Sequence, residues 1–396
     1  MREQALSGIR VLDLTHHIAG PYCTKIMADY GAEVVKVERP GLGDGARAVG
    51  PFPGDTPDPE LSGLFLYLNT NKKGITLDLK SAGGAEIFKK LVRETDILVE
   101  NFSPRVMPEL GLDYGTLKKT KPDLVMASIS SFGQTGPYRD CRASDLTVWG
   151  LSGILYELGE PEREPLKMGA NVSEYVAGLY GVLTALAALF HRDETGSGQH
   201  VDISILEAFH TMQPSMTLVF SMAGFVRQRA GIHFPWGILP CDDGYVGFYL
   251  PTQTHWELLC TLLGMPELRD KPEYETPMMR EERRDEVQSI VASWLRGKRM
   301  MDVFHAAQEL RLPLTLVPNM EQVLELEQHE ARGYFAQADH PKAGVLTYPG
   351  APFKLSETPW EAGRAPLLGE HNEEVYCGRL GVAVEELARL KEEGVV

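Results

Sequence analysis

"IRVLDLTHHIAGPYCTKIMADYGAEVVKVERP", residues Ile9 to Pro40, decides the fold. "IRVLDLT" is a short apolar run of the length of a buried strand. "PYCTKIMADYG" then reads as a helix stopping on Gly31, and "AEVVKVERP" as a second strand halted by Pro40. Strand, helix and strand in this order make a βαβ unit, which joins parallel strands.

The pattern continues downstream. "GAEIFKKLVRET" reads as a helix, "DILVENF" and "DLVMASISSFG" as strands, and "GQHVDISILEAF" as a strand feeding a helix. The strands are almost continuously apolar, as strands covered on both faces are. Residues 1–225 are therefore expected to form a large Rossmann-like α/β domain around a parallel sheet. In "FVRQRAGIHFPWGILPCDDGYVGFYL" proline, glycine and aromatic residues replace the alternating units, and "CDDGYVGFYL" reads as a turn and a strand. "THWELLCTLLG", "RRDEVQSIVASWLRG" and "MDVFHAAQELRL" are helical, so residues 226–325 are assigned to a smaller α+β domain. Residues 326–396 are read as an extended tail returning to the large domain. Its segment from Tyr348 to Asn372 is too long for an ordinary loop and is expected to pack along something, a second subunit included. The closing "VEELARLKEEGVV" is a short amphipathic helix.

Bulk properties narrow the function. The formal net charge of -16 argues against nucleic acid or an anionic membrane as main partner. The start lacks a secretory signal, and runs such as "VLTALAALF" are too short to span a bilayer. The five cysteines lie far apart without C-x-x-C, and the eleven histidines form no H-x-x-x-H. Reduced thiols, a cytoplasmic location and no metal are expected.

Several stretches carry chemistry. In "DLTHHIAGPYCTKIM", Gly20 and Pro21 stand where a helix begins, and its free N–H groups could accept an anion or a carbonyl oxygen. No G-x-G-x-x-G is present, so a dinucleotide fingerprint is not supported. His16 and His17 read first as packing or capping residues. Lys36, Arg39 and Arg47, then Lys72, Lys73 and Lys80, gather near strand ends. Such cations could hold a phosphorylated ligand, or merely form a solvated basic face. "GLGDG" is an ordinary turn sequence. There is no G-x-S-x-G elbow and no cysteine with a histidine close by.

Glu174 remains, in "KMGANVSEYVAGLYGVLTALAALFHRDETGSGQ", Lys167 to Gln199. Ser173 or Asn171 can cap the following helix, with Val176, Leu179, Leu183 and Leu186 expected on its buried side. An acid in the first turn is favoured by the helix dipole. The same setting would aim an ionised carboxylate at an electrophile. Residue physics leaves both readings open.

The ordered set "LSGIRVLDLTHHIAGPYCTKIMADYGAEVVKVERPGLGD", "NKKGITLDLK", "ILVENFSP", "GQTGPY", "TGSGQHVDISILEA" and "APLLGEHN" resembles the family III CoA-transferases, the group that includes formyl-CoA and carnitine CoA-transferases. The likeness runs nearly end to end. It implies a two-domain subunit interlocked with its partner as two linked rings. It also implies a CoA thioester as substrate, a carboxylic acid as acceptor and no tightly bound cofactor. In such enzymes an aspartate attacks the thioester to form a mixed anhydride. CoA thiolate then gives an enzyme-bound thioester, which the acceptor carboxylate later cleaves.

Carried over by position, the resemblance assigns CoA contacts to His17, Ile18 and Ala19, to Arg39, to Leu77 and Lys80, to Asn101, Phe102 and Ser103, and to Arg142. The nucleophile position, four residues before Gly178, is Glu174 instead of aspartate. A second family cation is replaced by Glu109. A glutamate carries the same nucleophilic group on one more methylene, so an active enzyme remains open. So does a non-catalytic subunit in a heteromer similar to the benzylsuccinate CoA-transferases, in which only one of two related chains keeps the aspartate. An acyl-CoA racemase is disfavoured, because the expected His-Asp pair reads Ser144-Asp145. Succinyl-CoA is the donor suggested by family habit. In "HFPWGILP", Phe234 and Trp236 could pack on an aromatic or branched acyl group or simply in a core.

Overall fold

The computed structural model describes residues 4–229 and 236–396. The chain divides into two units, Met1–Ile154 with Lys167–Gly224 and Gly333–Val396, and Leu155–Leu166 with Phe225–Arg332.

The first unit is built on strands β1 (Arg10–Asp13), β2 (Glu33–Glu38), β3 (Lys73–Thr76), β4 (Ile97–Glu100), β5 (Val125–Ser130) and β6 (His200–Ser204). They form one sheet in the order β3-β2-β1-β4-β5-β6, and every pairing is parallel. This is the doubly wound order, in which the strand order reverses between β1 and β4 and opens a crevice at the carboxyl ends of those strands. Leu12 on β1 stands beside Val35 on one side and Leu98 on the other, and all three are nearly free of solvent. The helices of this unit before Gly224 include α1 (Ala19–Asp29), α2 (Gly63–Leu68), α3 (Ala82–Arg93), α4 (Val106–Glu109), α5 (Tyr114–Thr120), α6 (Asp145–Leu151), α7 (Val172–Thr195), α8 (Ile205–His210) and α9 (Pro214–Ala223).

The 24-residue α7 corrects the expected buried side of this helix. It is long and apolar enough to cross a membrane by length and composition, although its uninterrupted apolar runs are short. It packs instead on α1, β5 and α8 as a core helix. Its buried side is Val176, Ala177, Gly178, Gly181, Ala185 and Ala188, whereas Leu179 and Leu183 are 50% and 64% exposed. Small residues let α7 approach α1 closely, which turns the larger side chains away. A Cβ at Gly181 would lie 3.0 Å from both Cys23 Sγ and Ile129 Cδ1.

The second unit holds a three-stranded antiparallel sheet of β7 (Trp236–Cys241), β8 (Gly244–Tyr249) and β9 (Leu314–Leu316). Around it lie α10 (Gln253–Leu263), α11 (Pro277–Glu282), α12 (Arg284–Leu295), α13 (Met300–Glu309), α14 (Met320–Leu324) and α15 (Glu327–Arg332). Trp256, Leu259, Tyr274 and Leu295 fill its core. The strand β7 did not stand out in the sequence because it contains Pro240. At the sheet edge proline interrupts no ladder on its free side.

Residues from Gly333 return to the first unit, through a hairpin of β10 (Phe335–His340) and β11 (Gly344–Pro349). Part of the extended tail lies on the outer strand of its own sheet. His371 N donates to the Gly74 carbonyl, Thr76 N to Asn372 Oδ1, and Asn71 N to the Arg364 carbonyl. The chain closes with α16 (Val384–Glu392), whose Leu387 and Leu390 join the core with Leu77 and Phe88.

Candidate active site

Two cavities open along the carboxyl edge of the parallel sheet, one on each side of the β1/β4 reversal. The first, about 410 Å3, is lined from the ends of β1, β2, β3 and β4. The second, about 200 Å3, is lined from β1, β4, β5 and β6 and from the starts of α6 and α7. His17, Asn101 and Phe102 belong to both, so the cavities adjoin at the reversal point.

The dividing wall is held rigidly. His16 N donates to Asn101 Oδ1 and Asn101 Nδ2 donates to the His16 carbonyl, both at 2.8 Å. This reciprocal pair ties the loop after β4 to the loop after β1. His17 adopts a left-handed backbone, φ 63°, which costs a non-glycine residue about 1 kcal/mol or more. Its N–H donates to Asp44 Oδ1 at 2.9 Å, and Asp44 also pairs with Lys36 at 2.8 Å. Burial works against the Asp44 charge, but Lys36 and neighbouring hydrogen bonds hold its carboxyl well below the usual range. A Cβ on Gly45 would stand 2.4 Å from His17 Cε1, so the last glycine of "GLGDG" makes room for that imidazole.

The cation cluster separates into buried or paired members and exposed ones. Lys36 is fully buried, Arg47 is buried against Glu38 and Glu60, and Lys72 pairs with Asp13 at 3.0 Å. Burial lowers Lys72 to about 8 even beside that carboxylate. For Asp13 the balance falls the other way: burial raises it, yet Lys36 and Lys72 bring it to about 2. Lys73 bridges Glu33 and Glu374. These four pair with carboxylates of the chain itself; the sequence had left a ligand-binding cluster and a solvated face open for them. Arg39 and Lys80 instead stay exposed on the wall of the first cavity, which Leu77, the residue after β3, also lines.

The remaining assigned residues fall as follows. Ala19 and Ser103 line the second cavity, while Ile18 is buried at the start of α1. Arg142 is exposed in the loop before α6 and lines neither cavity; its neighbours Arg139 and Cys141 line the second. Phe234 lies outside the described residues, and Trp236 belongs to the second unit. Glu109 is exposed on α4, and one turn earlier Arg105 lies 4.0 Å from it. The turn that lost a cation at one position thus carries one beside it. On the same helix, Val106 lines the first cavity.

Glu174 lines the second cavity in the first turn of α7. Asn171, the N-cap, makes no side-chain cap bond. Its Nδ2 donates instead to Glu174 Oε1 at 3.2 Å. Burial pushes the Glu174 carboxyl above the ordinary glutamate range. The Asn171 amide and the Ala19 N–H work against that rise, and the Asp145 charge adds to it. Ser173, expected as a possible cap, points elsewhere: its Oγ donates to Asp145 Oδ1. Asp145 pairs in turn with Lys167. Behind the β4 loop, burial raises Glu100 to about 7, while Phe102 N donates to its Oε2. Nothing in the local sequence pattern singled out Lys167, Asp44 or Glu100, whose burial and pairing follow from the fold.

The arrangement offers an exposed cation pair for an anionic ligand, a rigid divider and, beyond it, a desolvated carboxylate. Residues 6–372 match the sequence profile of CoA-transferase family III. The formyl-CoA:oxalate CoA-transferase of Streptomyces coelicolor is 33% identical, with both chains covered in full. The succinate–glutarate CoA-transferase of Agrobacterium fabrum is 32% identical over 95% of this chain and 96% of its own. Among solved structures, a CaiB/BaiF family protein from Brucella suis superposes with a TM-score of 0.85 at 28% identity, covering 95% of this chain and all of that one. Rv3272 from Mycobacterium tuberculosis gives 0.81 at 26%, covering 94% and 99%.

Proposed function

The chain belongs to CoA-transferase family III, and we propose that it moves CoA from an acyl-CoA donor to a carboxylic acid with Glu174 as the nucleophile. The observation that carries this reading is the pair of adjoining cavities: exposed cations line one and a desolvated carboxylate lines the other. Arg39 and Lys80 would meet the CoA phosphates, and Leu77 and Phe102 would flank the base. The thioester would then reach past His17 and Asn101 to Glu174.

In this reading the ionised Glu174 oxygen attacks the thioester carbonyl, forming a mixed anhydride and releasing CoA thiolate. The thiolate attacks the Glu174 carbonyl carbon, giving the enzyme thioester and expelling the donor acid. The acceptor carboxylate then attacks that thioester, forming a new anhydride and CoA thiolate. Attack of the thiolate on the acceptor's acyl carbon yields the new CoA ester and restores Glu174. CoA is a substrate here, and no tightly bound cofactor is invoked. Succinyl-CoA is the proposed donor, supported by the succinate–glutarate relative.

We place the enzyme in the cytoplasm as a dimer. The exposed apolar side chains Leu183, Phe190, Phe220 and Met222 support a partner subunit covering α7 and α9. A second reading keeps the assembly a CoA-transferase but makes this chain the non-catalytic member of a heteromer, as in a benzylsuccinate CoA-transferase. Glu174 in place of aspartate and Glu109 in place of a cation favour it. Steady-state transfer from succinyl-CoA to a panel of carboxylic acids tests the proposal. Parallel double-reciprocal lines with the purified single chain support the first reading. Transfer that appears only when a homologous subunit is added supports the second.

A further inference from the structure

We propose that Lys167, Asp145 and Ser173 form a positioning clamp that fixes the turn before α7 and holds Glu174 at the second cavity. The inference rests on the reading of Glu174 as the nucleophile.

Asp145 opens α6 and is 9% exposed. Its two oxygens are taken separately. Ser173 Oγ, fully buried, donates to Oδ1 at 2.5 Å, and Lys167 Nζ lies 2.5 Å from Oδ2. Ser173 immediately precedes Glu174, so this bond fixes where the Glu174 backbone sits relative to α6. Lys167 also donates to the carbonyls of Met168 and Ala170, each at 2.9 Å. Ala170 has φ 62°, a left-handed conformation that needs outside support in a non-glycine residue. The ammonium supplies that support, and its Nζ lies over the Trp149 ring, 5.5 Å from the ring centre. One cation thereby holds both a strained turn and the anchor of the nucleophile's neighbour.

Its charge matters as much as its bonds. Lys167 neutralises Asp145; without it a buried carboxylate would stand uncompensated at the cavity of Glu174. Two nearby carboxylates resist joint ionisation. The other titratable or charged groups at this cavity are His17 beside the start of α1 and Arg139 and Cys141 in the loop before α6. On α7 itself, Tyr175 is the neighbour. Arg139 is drawn to Asp140 at 3.2 Å. Lys167 is thus the cation paired with Asp145.

The clamp predicts opposite signs for two substitutions. With glutamate carboxyls labelled with carbon-13, and Glu174→Gln used to assign the resonance, the Glu174 titration midpoint should rise by about one pH unit in Lys167→Met. It should fall in Asp145→Asn, which removes the like charge and keeps an oxygen for Ser173. Lys167→Arg should restore the wild-type midpoint. Midpoints unchanged in both Lys167→Met and Asp145→Asn, or shifted in the same direction, would overturn the proposal. If Lys167→Met does not fold, the sign found in Asp145→Asn decides. This titration needs no turnover. A wild-type protein that never acylates on Glu174 would remove the nucleophile reading, while the midpoints would still decide the clamp.

Discussion

The carbonyl oxygen of Ala19 stands 2.7 Å from the point that a Cβ on Gly178 would occupy. That contact is backbone against helix, so no side-chain rotation can relieve it. It brings the first turn of α7, with Glu174, against the start of α1, with the Ala19 N–H.

Replacing Gly178 by alanine should therefore force α7 away from α1. Overpacking of this kind costs roughly 1–3 kcal/mol. The larger effect should be on chemistry, because a displacement of about 1 Å can lower a rate roughly a hundredfold. Thermal unfolding and the rate of the first acyl-transfer step are to be measured together. We expect a modest fall in stability with a disproportionate fall in rate. A variant with wild-type rate would show that the approach of these helices does not position the nucleophile.

Arg39→Ala should weaken binding of a CoA ester by roughly 1.5–3 kcal/mol, the contribution of a charge-assisted contact. That is about a 10- to 150-fold rise in Kd by calorimetry. Added salt should weaken wild-type binding in the same direction. Arg47→Ala should behave differently. Arg47 is buried and paired with Glu38 and Glu60, and its loss should cost roughly 3–5 kcal/mol of stability. Equal CoA affinity in wild type and Arg39→Ala would remove Arg39 from the nucleotide site.

Much of the sheet was legible because β1, β2, β4 and β5 are compact apolar runs between punctuating residues, whereas β3, the four residues Lys73–Thr76, carries no such run and was not read as a strand. "IRVLDLT" and "AEVVKVERP" contain β1 and β2, and "PYCTKIMADYG" falls within and just beyond α1. What escaped depended on contacts. The buried side of α7 runs through alanine and glycine, so a search for large apolar residues selected Leu179 and Leu183, which face outward. The hairpin of β10 and β11 lay in a stretch that lacked clear periodicity. Whether Lys36, Arg47 and Lys72 hold a ligand or face solvent stayed open in the sequence, because Asp44, Glu38 and Asp13 meet them only in three dimensions. The positions assigned to CoA came from resemblance, since nothing local distinguishes Arg39 from Arg47. For Glu174 the sequence placed the residue correctly in a helical first turn. Its raised carboxyl, its bond to Asn171 and its shared cavity with Asp145 required the fold.

The central claim is that Glu174 attacks the thioester, and intact mass after incubation with succinyl-CoA tests it most directly. The account predicts a CoA adduct that hydroxylamine releases and that peptide mapping places on Glu174. Glu174→Gln should abolish the adduct, because an amide cannot form the anhydride, and Glu174→Asp should retain it. The carboxyl is raised above the ordinary glutamate range, so adduct formation should fall as pH drops through that raised value. An adduct found only on a homologous partner subunit, with turnover intact in Glu174→Gln, would contradict the claim and leave Glu174 as a helix-terminus acid.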